Sequence, residues 1–195
     1  MKPIDRLAQR LATRVGRIAV ALTVTLAASS ASHAMEQTAA MDMRFAARES
    51  AIFGQPEAGL GLVPGAGGIQ HLSRLLGRAR ALEVILSADD YDADLAERYG
   101  WINRALPAQA LGDFVRSLAL RIAAFPAIGR VLVKERANAI GLAPAEDFRR
   151  DSQLFLEAGR NPETQARNQA AMKRGLQTRD AELALGRMIG DLKDR

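Results

Sequence analysis

The chain has 195 residues, with 48% hydrophobic and 25% charged residues, no cysteine and two histidines. That length suits a domain that buries its core without disulfides. The missing cysteines exclude a disulfide scaffold, a Cys-ligated zinc, an Fe–S cluster and a Cys nucleophile, and two histidines exclude a poly-His metal site. The net charge of +5 would suggest nucleic acid or a membrane surface if it belonged to the fold. Residues 1–34, however, hold Lys2, Arg6, Arg10, Arg14 and Arg17 against Asp5, while residues 35–195 hold 22 basic and 21 acidic residues. A nucleic-acid binder carries its basic face on its folded part, so neither a nucleic-acid nor a membrane partner is expected.

The first 34 residues read as an atypical leader, signal-like or mis-started. A basic stretch to Arg17 precedes an apolar and threonine run over 18–28, and small residues at Ser32 and Ala34 offer a cleavage site, the layout of a signal peptide. The run is too short for a membrane-spanning helix. Residues 43–46 and 51–53 read as short extended segments. Residues 55–68 form a glycine-rich loop, with Gly59, Gly61, Gly65, Gly67 and Gly68 providing tight turns and close backbone approach.

Beyond Ile69 the pattern becomes helical. Leu72, Leu75 and Leu76 share a face before a stop at Gly77. A second helix is expected over 79–86 with Leu82, Ile85 and Leu86 as its apolar residues, and a third over 92–99, closed by Gly100. Residues 101–103 read as extended. Helices are then expected over 107–124, 127–139, 145–158 and 162–175, with a last one capped by Thr178 and running to about Leu192. The short strand-forming part cannot be a stable sheet alone and needs partner strands.

Several common site patterns fail. Asp90, Asp92 and Asp94 begin like a calcium loop, but the sixth and twelfth places are Leu95 and Trp101 rather than Gly and Glu. These acids fit a helix N-terminus instead. The glycines match neither a P-loop nor the dinucleotide fingerprint. His71 reads as a surface or packing residue. What remains is Glu57, directly after Pro56 and before the glycine loop. Backbone N–H groups in such a loop bind an anion or a polarised oxygen, and a carboxylate beside them serves as a general acid or base.

The ordered series Asp42-Met43-Arg44-Phe45-Ala46, Phe53-Gly54-Gln55-Pro56-Glu57, Pro64-Gly65-Ala66-Gly67-Gly68, Leu75-Leu76-Gly77-Arg78-Ala79 and Tyr99-Gly100-Trp101-Ile102-Asn103-Arg104 resembles the second half of the crotonase core, the enoyl-CoA hydratase/isomerase family. The resemblance implies an α/β fold: a partial ββα spiral core over 35–107, then a helical region over 108–195. It implies an acyl-CoA thioester substrate, an enolate-like intermediate, no metal, and no cofactor beyond the CoA of the substrate. Of the family's two glutamates, the one in Gln-Pro-Glu carries over to Glu57. The other, six residues before the matching Asp, carries over to Glu36. Gly65 matches the glycine whose N–H faces the catalytic water, and His33 falls where an oxyanion-hole N–H is donated, although the family has a glycine-rich run there.

Family domains hold further strands, half of the oxyanion hole and much of the CoA contact before this point. Residues 1–34 do not resemble these, which implies a truncated or replaced N-terminus and an activity impaired by the missing half of the oxyanion hole. A homo-oligomer, trimer or hexamer, and a cytoplasmic location are also implied. The competing expectations are a non-catalytic remnant that oligomerises or binds acyl-CoA, and an exported helical binding protein.

Overall fold

A computed structural model describes Thr23–Thr25 and residues 39–192. Two small sheets organise the core. Parallel strands β1 (Thr23–Thr25), β2 (Arg44–Ala47) and β5 (Arg104–Leu106) lie in the order β1-β2-β5. In register, Val24 pairs with Phe45, and Ala46 with Ala105. Strands β3 (Ile52–Phe53) and β4 (Tyr91–Asp92) pair antiparallel. β1 and β5 are thus the partner strands that the extended segment around Phe45 needs, and β1 lies within the apolar run of residues 18–28.

All four β2 side chains are buried, as expected of a parallel strand covered on both faces. Its period-2 alternation divides them. Ala46 joins a core with Phe53, Leu72, Val84, Tyr91 and Trp101, whereas Phe45 and Ala47 pack with Leu111 and Val115 on the other face. Helices α1 (Gly68–Leu76), α2 (Arg78–Ser87) and α3 (Ala93–Tyr99) contribute to the first core, and α4 (Ala108–Ala123) covers the second. Phe114 of α4 meets Phe45 edge to face, with ring centroids 5.3 Å apart. The remaining helices are α5 (Ala127–Gly141), α6 (Ala145–Ala158), α7 (Pro162–Lys173), α8 (Arg179–Glu182) and α9 (Leu185–Gly190).

Local chemistry explains where the elements depart from the sequence reading. The strand expected over 101–103 forms three residues later. After the left-handed Gly100, Trp101 turns into the core, and the Asn103 side-chain oxygen accepts from Arg44 N at 2.7 Å while Asn103 N donates to Arg44 O at 2.8 Å. Asn103 thereby substitutes for a ladder position, and pairing begins at Arg104. The last helix is split. Thr178 caps α8, but the Asp90 carboxylate takes the Gly186 N–H at 3.0 Å, so α9 starts afresh against the β4 end. On α2 the inward residues are Ala81, Val84 and Ile85, while Leu82 and Leu86 face out. Asp92 caps α3 through Leu95 N, and Asp94 pairs with Arg48 at 2.9 Å, in keeping with the helix-terminal reading of this acid cluster.

Arg44 is a buried cation bonded to main-chain carbonyls. Its Nε donates to Trp101 O and its Nη1 to Met41 O, both at 2.6 Å, with Ala39 O at 3.5 Å. Burial pulls its pKa down, and Asp42 partly restores it. The side chain ties the approach to β2 to the turn after α3. Replacing Arg44 with Met strands these acceptors and is expected to cost about 1–3 kcal/mol in urea unfolding. The same measurement on Leu86→Ala, at an exposed position, should show a much smaller loss.

Candidate active site

The chain leaves β3 at Phe53 and runs through Gly54, Gln55 and Pro56 into a single 3₁₀ turn, Ala58–Leu60, with Glu57 at its N-cap. The Glu57 carbonyl accepts Leu60 N at 3.0 Å and Leu62 N at 2.8 Å. Gly61 closes the turn at φ 79°, a left-handed conformation natural to glycine. The Glu57 residue is only 9% exposed. The buried Gln55 amide donates to its Oε2 at 2.9 Å. A charge-assisted donor on one oxygen fixes the direction of the carboxylate.

The glycines of the following loop serve close packing. A Cβ on Gly68 would lie 2.7 Å from Gln55 Nε2, and one on Gly65 would lie 2.7 Å from Phe155 Cβ. The Gly65 carbonyl accepts the Ser152 hydroxyl of α6 at 2.6 Å. Gly67, at φ 102°, leads into α1. The loop is therefore clasped between Gln55 and α6, and it keeps its backbone beside Glu57.

Glu57 and Gly65 line one cavity of about 430 Å³, a volume suited to a small organic ligand. Leu60, Leu62, Phe155, Leu156, Leu176 and Leu185 supply apolar wall, and Gln177 and the buried Glu182 add polar groups. A half-open, largely apolar cleft with one oriented carboxylate and a glycine backbone suits proton transfer at a carbon or water positioned by the rest of the ligand. Of the sequence-derived site residues, the structure brings Glu57 and Gly65 together. His33 and Glu36 lie outside the described residues. Gln55 was legible only as part of the Gln-Pro-Glu motif. Ser152, Gln177 and Glu182 carried no sequence signal, because isolated polar residues on helices and turns look like ordinary surface.

His71 sits against Phe148, with ring centroids 5.3 Å apart, in keeping with a packing residue. Among the described residues no group of three or more His, Asp or Glu side chains is placed to hold a metal, and no helix is long and apolar enough to cross a membrane.

Two measurements test this geometry. Gly65→Ala drives a methyl group into Phe155 and is expected to lose about 1–3 kcal/mol of stability. In a Phe155→Gly background, which removes the Cβ that the methyl meets, the same substitution should cost less. The second concerns His71, whose pKa is lowered by burial first, then by Arg44 and Arg74. The unfolded chain then takes up the proton at a higher pH than the folded one, so stability is lost as pH falls through the free-imidazole range towards the folded midpoint. An NMR titration should place the His71 midpoint below that of a free imidazole. His71→Asn should remove this component of the acid-side loss in urea unfolding.

Comparison with known proteins agrees with the architecture. A solved structure from Streptomyces avermitilis, provisionally described as an enoyl-CoA hydratase, superposes with a TM-score of 0.80 at 50% identity, over 82% of this chain and 58% of that one. A Rhizobium meliloti protein, provisionally described in the same way, is 39% identical over 110 residues, which are 56% of this chain and 43% of that protein. A short-chain-enoyl-CoA hydratase of Clostridioides difficile is 44% identical over 88 residues, 45% of this chain and 56% of that one. The chain thus spans about half the length of the curated relatives it matches. The enoyl-CoA hydratase/isomerase family model matches residues 9–181. With this match, the crotonase-like α/β architecture and the Gln-Pro-Glu site beside the glycine loop, the chain belongs to the enoyl-CoA hydratase/isomerase family of the crotonase superfamily.

Proposed function

We propose that this chain acts on an acyl-CoA thioester, as an enoyl-CoA hydratase or isomerase working through an enolate-like intermediate. The observation that carries this reading is the buried Glu57 carboxylate, aimed by Gln55 and opening with Gly65 onto an apolar cavity. The family membership and the hydratase relatives support it.

In hydration, the water oxygen bonds to C3 of the enoyl group while one water proton passes to Glu57. The C2–C3 π pair shifts to form a C1–C2 double bond as the carbonyl π pair moves onto the thioester oxygen, giving an enolate whose collapse returns a pair to C2. C2 then takes a proton from a second acid, for which Glu36 is the candidate. The Gly65 N–H holds the water, and the His33 N–H is the candidate donor to the thioester oxygen. Stabilising that oxygen is usually the largest electrostatic contribution in such chemistry. No cofactor beyond the substrate's CoA enters these steps.

A homo-oligomer, trimer or hexamer, is part of the same reading. Helix α5 turns Ile128, Leu132, Val133 and Ile140 to solvent and buries only Val131, an apolar face suited to subunit packing. The family's usual setting supports a cytoplasmic location.

Glu57→Gln keeps the size of the side chain but removes the base. Turnover of a short-chain 2-enoyl-CoA by that variant is expected to fall at least about a hundredfold, the scale of a general acid–base contribution, with the circular dichroism spectrum unchanged. Equal turnover by the variant would contradict the proposal.

A further inference from the structure

Three side chains of α7 converge on the turn that carries Glu57. Thr164, Arg167 and Asn168 share one helix face by their spacing of three and four residues. Each donates to a different carbonyl in one continuous run: Arg167 Nε to Gly59 O at 2.6 Å, Asn168 Nδ2 to Leu60 O at 3.2 Å, and Thr164 Oγ1 to Gly61 O at 3.0 Å. A single 3₁₀ turn has poor hydrogen-bond geometry and little length over which to cooperate. Its own bonds use the carbonyls of Glu57 and Ala58, so the next three carbonyls need donors from elsewhere. Helix α7 provides all three.

The turn is also seated closely. A Cβ on Gly59 would lie 2.5 Å from Ile189 Cγ2 and 2.8 Å from Ala88 Cβ, and one on Gly61 would lie 2.6 Å from Thr164 Oγ1. Arg167 reaches further. Its Nη1 donates to Leu192 O at 3.1 Å and its Nη2 to Ile189 O at 3.3 Å, carbonyls at the C-terminal end of α9, where a cation is favoured. One guanidinium thus joins the Glu57 turn to the C-terminal segment, which adds Glu182 and Leu185 to the cavity wall. Leu60, Ala171, Leu185, Ile189 and Leu192 pack together around this junction.

We propose that Arg167, supported by Thr164 and Asn168, is a positioning residue that holds Glu57 at its reactive geometry and couples that geometry to the docking of the C-terminal segment. This rests on the reading of Glu57 as the proton-transfer group. Arg167 acts through the backbone of the turn. Small displacements of a reacting group are costly: about 1 Å can cost about a hundredfold in rate.

The test uses the full chain with Arg167→Ala, Arg167→Lys and Asn168→Ala. Hydrogen exchange is followed at the Leu60, Gly61 and Leu62 amides, and turnover is measured with but-2-enoyl-CoA. Arg167→Ala should accelerate exchange at these three amides while α1 and α2 keep their protection. It should lower kcat about tenfold to a hundredfold with KM little changed, and Arg167→Lys should restore part of both effects. Unchanged exchange at residues 60–62, a uniform loss of protection across the core, or an unchanged kcat in an active protein would each overturn the proposal. If the unsubstituted chain does not turn over but-2-enoyl-CoA, that counts against the proposed function, and the exchange result alone decides the positioning role. If Arg167→Ala does not fold, Asn168→Ala should show the same local acceleration to a smaller degree, and its absence would overturn the proposal.

Discussion

A carboxylate kept away from water must be held by donors, and Glu57 is held at both its ends. The Gln55 amide grips its side chain at 2.9 Å, and its main-chain carbonyl accepts two N–H groups of the turn that follows. Burial without such partners would cost several kcal/mol. The local features follow from this need. Gly68 leaves room for the Gln55 amide, Gly65 admits Phe155, and Gly61 supplies the left-handed residue that ends the turn. The glycine-rich loop is therefore a packing solution around one oriented acid, and it also brings backbone and acid to the same cavity wall.

The scaffold behind the site is built around β2. β2 is buried on both faces because its alternation feeds two separate cores. Arg44 and Asn103 close its N-terminal end with side-chain bonds to main chain. The helices then act as walls. α1 receives the glycine loop, α6 clasps Gly65 through Ser152, and α7 holds the turn after Glu57. The C-terminal segment docks through the Asp90–Gly186 bond, with burial raising the Asp90 pKa and the α9 amides drawing it back down.

The sequence made the periodic and punctuated elements legible. Leu72 and Leu76 marked the buried face of α1, the helix expected from residue 162 matched the start of α7, and Gly100 marked the end of α3. Glu57 and Gly65 were legible because an ordered series of turn residues surrounds them. The failures have a common physical origin: a long-range bond overrode a local preference. Asn103 shifted the strand through Arg44, and Asp90 split the last helix through Gly186. Leu82 and Leu86 are apolar yet face out, because the buried side of α2 is set by what it packs against. The α7 donors were invisible in one dimension, because Arg167 and Gly59 are 108 positions apart and neither is unusual in composition.

The proposed role of Glu57 and the glycine loop is proton transfer on an acyl-CoA thioester. The most direct measurement incubates the purified chain with but-2-enoyl-CoA in deuterated, ¹⁸O-enriched water and analyses the product by mass spectrometry and NMR. The expected product is a 3-hydroxyacyl-CoA carrying the heavy oxygen at C3 and deuterium at C2, formed by the unsubstituted chain and nearly lost in Glu57→Gln. Unlabelled, unchanged but-2-enoyl-CoA after incubation with folded protein, or equal labelling by Glu57→Gln, would contradict it.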